Sequence, residues 1–303
     1  MKTPSLKQTA LLSLFGLGAF QALNALWKRQ QRPRRRAQLK NQVVVITGAS
    51  SGIGAALAET LAAAGCQLML AARREDKLAA LAADLSARYQ TPVSYQVTDV
   101  QNPQDLHDLI QATEARLGPV EILINNAGVA SYAYFNSDPL REMRRVFEVN
   151  YWGLVHGIQA VLPGMQARKK GLVVNISSVA GMLAQPGLSN YSASKHAVNG
   201  LSNALRMELA PDGIRVLLVC PTSTQTEIVQ AASHKPAVRF NPENYFGMSA
   251  QRVAQETLQA ILDRKSEHVL GAVEKAAIEA RHLAPRGFDR IMRILTRQVF
   301  GNA

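Results

Sequence analysis

Gln42–Gly54 constrains the fold of this chain more than any other stretch. Gln42–Thr47 (QVVVIT) is a short continuous apolar run, the pattern of a strand buried on both faces. Gly48-Ala49-Ser50-Ser51-Gly52-Ile53-Gly54 follows, and an Ala/Leu-rich helical run continues to Ala64. Strand, glycine loop and helix in that order suit a dinucleotide's pyrophosphate. Glycines let the backbone approach it, and the helix N-terminus offers N–H donors and a favourable dipole. The spacing is G-x-x-x-G-x-G rather than the common G-x-G-x-x-G, and tight turns also use glycine. The loop, with Gly48, Ser50, Ser51, Gly52, Ile53 and Gly54 as candidate contacts, therefore needs support from the rest of the chain.

That support continues downstream. A second strand, Gln67–Ala72, ends in Arg73-Arg74, where an acid would bind a ribose 2′-hydroxyl. Two arginines suit a 2′-phosphate instead, so the cofactor expected is NADP(H), with Arg73 the favoured contact and Arg74 beside it. The same arginines would equally suit a solvated start to a helix over 74–89. Thr91–Val97 reads as a third strand ending at Asp99, which could hold an adenine amino group or simply cap the turn before Pro103. A helix over about Pro103–Leu117 is broken by Gly118-Pro119, and a fourth strand, Glu121–Ile124, runs into Asn125-Asn126-Ala127-Gly128. Asp138–Arg168 and Asn190–Leu209 read as long helices, Ile214–Val219 as a sixth strand, Ala250–Arg264 as a helix and Glu267–Gly271 as a seventh strand.

Tyr191 and Lys195 lie at i and i+4, so on a helix both emerge on one face. An ammonium beside a phenol stabilises the phenolate and draws its pKa down from about 10. Such a tyrosine could exchange a proton with a carbonyl/alcohol pair. The spacing alone equally suits two solvent-facing side chains.

In order and in register, the chain carries TGASSGIG at Thr47–Gly54, Asp99-Val100, NNAG at Asn125–Gly128, Asn150, Ser177-Ser178 and YSASK at Tyr191–Lys195. With these pieces, residues 41–220 closely resemble the short-chain dehydrogenase/reductase family, as a membrane-anchored, NADP-linked member. The resemblance implies a doubly wound Rossmann fold with seven parallel strands in the order 3-2-1-4-5-6-7. It implies Tyr191 as acid/base and Lys195 as the group that lowers its pKa and binds the nicotinamide ribose. It implies Ser178, ahead of Ser177, as the hydrogen-bond donor to the substrate oxygen, and Asn150 as the holder of a water that links Lys195 to solvent. Asn126, Ala127, Gly128, Pro221 and Thr226 are implied cofactor contacts. The family's Pro-Gly after the sixth strand is here Pro221-Thr222, which puts the backbone path past the nicotinamide in question.

The net charge of +12 is concentrated at one end. Residues 1–40 hold nine Lys and Arg and no acid, leaving +3 of the +12 for the other 263 residues. The high charge is thus a tail property and does not call for a nucleic-acid partner. Ala10–Trp27 is an 18-residue, mostly apolar, uncharged run, near the short limit for a membrane span. Trp27 and the basic cluster behind it fit an interface with the following domain on the cytoplasmic side. A single span, a helix lying in the interface and a packed extension all remain open; a secretory signal fits less well. Arg32-Pro33-Arg34-Arg35-Arg36 reads as a stiff, solvated linker.

The organisation expected is therefore an anchor and linker over 1–40, a catalytic domain over 41–271, and a C-terminal helical extension over 272–303. Within the domain, 222–249 reads as a substrate lid. The extension interleaves Arg286, Arg290, Arg293 and Arg297 with apolar residues, which suits a membrane surface or a helix that caps the domain. The six histidines show no metal-ligand spacing, and Cys66 and Cys220 read as buried thiols. The function expected is NADP(H)-linked oxidoreduction of a carbonyl/alcohol pair, on a lipophilic substrate and possible as a homodimer. An NAD-linked alcohol dehydrogenase and a membrane-tethered, non-turning nucleotide scaffold are the alternatives.

Overall fold

The computed structural model describes residues 32–227, 233–234 and 247–300, with backbone only at 233–234 and 295–300. Seven strands form one parallel sheet: β1 (Val43–Thr47), β2 (Gln67–Ala72), β3 (Val93–Val97), β4 (Ile122–Asn125), β5 (Gly171–Ile176), β6 (Ile214–Cys220) and β7 (Glu267–Val269). Their order across the sheet is β7-β6-β5-β4-β1-β2-β3, as expected from the sequence. β1 lies between β2 (Val43 beside Gln67) and β4 (Val44 beside Ile122). The order reverses there, and α/β sheets of this kind bind ligands at such a switch point, beyond the carboxyl ends of the strands.

The helices are α1 (Gly52–Ala62), α2 (Glu75–Tyr89), α3 (Pro103–Leu117), α4 (Leu140–Phe147), α5 (Gly153–Arg168), α6 (Ser189–Glu208), α7 (Ala250–Leu262), α8 (Ala272–Leu283) and α9 (Pro285–Phe300). They cover both sheet faces because strand side chains alternate. Val44 and Ile46 of β1 join Leu57 and Leu61 of α1 and Leu258 of α7 on one face. Val45 joins Leu106 and Leu109 of α3 and Ile158 and Val161 of α5 on the other. All five residues of β1 are buried, which is why that strand reads as an unbroken apolar run. β3, at an edge, is only half-buried. It starts two residues later than the sequence suggests, because the Thr91 hydroxyl instead donates to the Cys66 carbonyl at 2.7 Å.

Three expectations change. The run expected as one helix over Asp138–Arg168 is broken into α4 and α5 by a π-helical turn, Glu148–Trp152, that contains Asn150. The basic linker is helical over residues 32–37 and docks through Arg32 and Arg35, while Pro33, Arg34 and Arg36 stay exposed. Arg32 donates from Nε and Nη2 to the two Asp263 oxygens at 2.9 and 2.7 Å, and Arg35 donates to the Leu262 carbonyl at 2.7 Å. Thirdly, the C-terminal extension is two helices, joined at Ala284-Pro285.

The apolar run 10–27 lies outside the described residues, and no helix among those described is long and apolar enough to cross a membrane. The expected lid, 222–249, also falls largely outside them. Its two ends pair in parallel, Thr224–Gln225 with Met248–Ser249, and between them Ser233–His234 pairs with Ser131–Tyr132.

Candidate active site

The carboxyl ends of β1, β2, β4, β5 and β6 open onto one cleft of about 570 Å³. Its floor is the glycine loop. Gly48 has φ +65°, and a Cβ there would stand 2.7 Å from the Ala127 Cα. A Cβ on Gly54 would stand 2.2 Å from the Gly48 carbonyl oxygen, so α1 can start under the loop only with hydrogen at that place. A Cβ on Gly52, which has φ +56°, would stand 3.1 Å from the Thr226 side chain. The loop is stapled to β4: Asn126 Nδ2 donates to the carbonyls of Thr47 (3.0 Å) and Gly48 (3.1 Å). In return the Thr47 hydroxyl accepts from the Asn126 and Ala127 N–H groups at 3.1 and 3.2 Å. Thr47 was not singled out from sequence, although a hydroxyl before a glycine loop is the kind of group that can hold one.

Sixteen of the expected residues line this cleft: Gly48, Ser50, Ser51, Gly52, Ile53, Arg73, Arg74, Asp99, Asn126, Ala127, Gly128, Ser178, Tyr191, Lys195, Pro221 and Thr226. Gly54 and Asn150 stand behind its wall. Asn150 Oδ1 accepts from the Val129 N–H at 2.8 Å, and its Nδ2 donates to the Val129 carbonyl and Ser194 Oγ, both at 3.0 Å. The π turn thereby clamps the strand-end segment after β4. Between Asn150 and Lys195 lies Gly128, whose Cβ would come 3.4 Å from Asn150 Oδ1 and 3.8 Å from Lys195 Nζ.

Tyr191 and Lys195 open α6 on one face, with the ammonium 5.8 Å from the ring centroid. Small residues let α6 sink its start among the strand ends: Ser192 and Ser194 are buried, and Lys195 with them. Lys195 Nζ donates to the Ile176 carbonyl at 3.0 Å. Burial draws the lysine down to about 8. The expectation that the lysine lowers the phenol pKa is not met in this geometry. Burial pushes Tyr191 up to about 12, against a hydrogen bond with Ser178 that acts to lower it. The cation sits against the ring, and deep in the cleft burial outweighs the partner. Cys220, at the end of β6, is likewise pushed up by burial to about 12, so it stays a neutral thiol.

The two serines separate as alternation on a strand requires. Ser177 is buried and donates to Asn199 Oδ1 at 2.6 Å. Ser178 turns into the cleft, where its Oγ accepts from the Ala180 N–H at 3.1 Å and meets the phenol. Thr222, at the place of the family's glycine, does not have a left-handed backbone. Its hydroxyl donates to Glu274 of α8, so the C-terminal extension reaches the cleft wall.

At the other end, Arg74 and not Arg73 is turned over the glycine loop. Its guanidinium donates to Ser50 Oγ (3.1 and 2.9 Å), Ser51 Oγ (2.7 Å) and Glu227 (2.7 Å). Arg73 lines the cleft but makes no hydrogen bond or ion pair among the described residues. Asp99 accepts from the Gln101 N–H at 3.1 Å and from the Gln101 side chain, while the cap before Pro103 is Asn102. Glu227 and Glu274 were not foreseen, since a single acid in a stretch without periodicity carries no signal.

These residues fit a dinucleotide. Hydrogens rather than side chains face the loop at Gly48 and Gly54, N–H donors open α1, and a cation stands beyond β2 where an adenosine ribose would end.

Residues 42–237 match the short chain dehydrogenase family. Dehydrogenase/reductase SDR family member 7B of Mus musculus is 37% identical over 295 residues, covering 94% of this chain and 90% of its own. Glycine betaine reductase ATRR of Emericella nidulans is 38% identical over 84% of this chain, which spans only 20% of that protein's length. A short chain dehydrogenase/reductase from Burkholderia phymatum, solved with NAD, superposes with a TM-score of 0.73 at 31% identity, over 81% of this chain and 94% of its own. A short-chain dehydrogenase from Sphingobium yanoikuyae, solved with NADPH, gives 0.71 at 32% identity, over 82% and 95%.

Proposed function

From the fact that this chain belongs to the short-chain dehydrogenase family, we propose that it interconverts a carbonyl and an alcohol with NADP(H), using Tyr191 as acid/base. The observation that carries the reading is the convergence of Ser178, Tyr191 and Lys195 at the end of the cleft away from the Arg74 cluster. A bound nicotinamide supplies the hydride donor or acceptor. The chain supplies the rest. Ser178 orients the substrate oxygen toward the phenol, and Tyr191 gives it a proton in reduction or takes one in oxidation. Lys195, buried and cationic below its lowered pKa, favours the phenolate once a proton has left. The Asn150 clamp on Val129 holds the strand-end segment beside it, and the gap over Gly128 is where a water relay to Lys195 fits.

The preference for NADP(H) rests on the cation turned over Ser50 and Ser51, now Arg74 rather than Arg73. Glu227 beside it speaks for the weaker alternative, NAD(H). A lipophilic substrate and attachment to a membrane through 10–27 rest on the apolar run alone.

Tyr191→Phe tests the assignment. NADPH oxidation across a panel of ketones and aldehydes should fall by about three orders of magnitude or more, within what a general acid contributes, while NADPH binding persists. Substantial turnover by the phenylalanine variant would refute it.

A further inference from the structure

Glu227 follows Thr226, the residue that packs on Gly52, and its carboxylate turns back over the mouth of the cleft. One oxygen accepts from Arg74 Nη1 at 2.7 Å and the other from Lys77 Nζ at 2.9 Å. The two cations lie on either side of the start of α2, where β2 has just ended. Four of Arg74's five N–H donors thus go to protein acceptors: Ser50 and Ser51 on one side, Glu227 on the other. Together the two cations hold the Glu227 carboxyl down at about 2, so it is ionised at any working pH.

This cluster is an anion site already filled by the chain's own anion. A phosphate on the adenosine ribose would need the same two cations. Serine hydroxyls can rotate from accepting to donating, so Ser50 and Ser51 can stay and serve it. Glu227 cannot donate, and its charge repels a phosphate dianion. It is the group that must leave.

We infer that Glu227 is an internal competitor for the cofactor's 2′-phosphate, and that it sets how strongly the protein distinguishes NADPH from NADH. The inference rests on the reading that Arg74 receives that phosphate. NADH, with a free 2′-hydroxyl, has no need to displace the carboxylate and can hydrogen-bond to it. Glu227 thereby narrows a preference that Arg74 and Lys77 would otherwise make wide. The pair is about half exposed, so its hold is modest: two exposed ion pairs together correspond to about a two- to thirtyfold change in affinity.

The test is a fluorescence titration of NADPH and of NADH against the full chain, Glu227→Gln and Arg74→Ala, at low ionic strength. Glu227→Gln should tighten NADPH by roughly two- to thirtyfold and leave NADH nearly unchanged. Arg74→Ala should weaken NADPH selectively. If Glu227→Gln leaves the ratio of the two affinities alone while Arg74→Ala lowers it, the competitor is overturned and the arginine reading stands. A ratio that moves in neither variant overturns both. If Glu227→Gln weakens NADPH, the carboxylate positions Arg74 instead of competing for it, and the inference fails.

Discussion

Lys195→Met should abolish a rise in the folded protein's stability between about pH 8 and 10.5. Lys195 is 4% exposed. Burial draws its pKa from 10.5 to about 8, while the unfolded chain keeps the ordinary value. Below pH 8 both states are protonated, and the folded one carries a desolvated charge. At 1.36 kcal/mol per unit, that costs roughly 3 kcal/mol. Between pH 8 and 10.5 the folded protein loses its proton before the unfolded chain does. The unfolded state then binds more protons, so wild-type stability rises with pH through that window.

Methionine has no proton to lose. The variant also gives up the bond to the Ile176 carbonyl, about 1.5–3 kcal/mol for a charged donor, so near pH 7 the two proteins should be close or the variant slightly ahead. The robust quantity is the change in the difference. From pH 7 to 10 the wild type should gain on the variant by roughly 2–3 kcal/mol, which is several degrees in melting midpoint. Stopping at pH 10 keeps the Tyr191 phenol, raised to about 12, protonated in both folded proteins. Melting curves of the two proteins at half-unit steps would show it. A difference that stays flat with pH would mean that Lys195 is hydrated in the folded state, and the argument from burial would fall.

Two further predictions concern the loop and the linker. Gly54→Ala places a methyl 2.2 Å from the Gly48 carbonyl, so the loop must shift. NADPH affinity should drop by about five- to 150-fold for about 1–3 kcal/mol of strain, with the circular dichroism spectrum intact; unaltered affinity would deny the loop its role. Arg32→Met removes both guanidinium bonds to buried Asp263. The ion pair is one-third exposed on the arginine side, so the expected loss is about 1–3 kcal/mol, and a melting midpoint equal to the wild type's would deny the linker its docked end.

What could be read in the sequence was whatever depends on near neighbours. Val43–Ile46 is apolar throughout because both its faces are covered, and the strand order is the one the family resemblance implied. The π turn at Glu148–Trp152 was hidden because one wider turn barely disturbs a helical period over thirty residues. The choice of Arg74 over Arg73 was hidden for another reason. Adjacent residues at a strand end point different ways, and which one faces the loop depends on where α2 begins. Glu227 and Asp263 find their cations more than a hundred residues away in sequence, so no local pattern marks either. The lowered phenol pKa was expected from the presence of an ammonium, but burial depends on the depth of the whole cleft, which a five-residue motif does not record.

The docked linker has a geometric consequence. Arg32 is held at the end of α7, and Leu39 is buried beside the entry to β1, so the chain joins the domain at the amino ends of the strands. The cleft and the start of α8 lie at their carboxyl ends. Strands of five to seven residues put about 15–20 Å between those two rims. Any flat surface that held the segment before residue 32 close to the domain would therefore face the blunt underside of the sheet, with the mouth of the cleft pointing away from it. A substrate would then arrive from the far side, through water or from a second surface opposite. The bond between Arg32 and Asp263 thus sets a compass bearing for the active site.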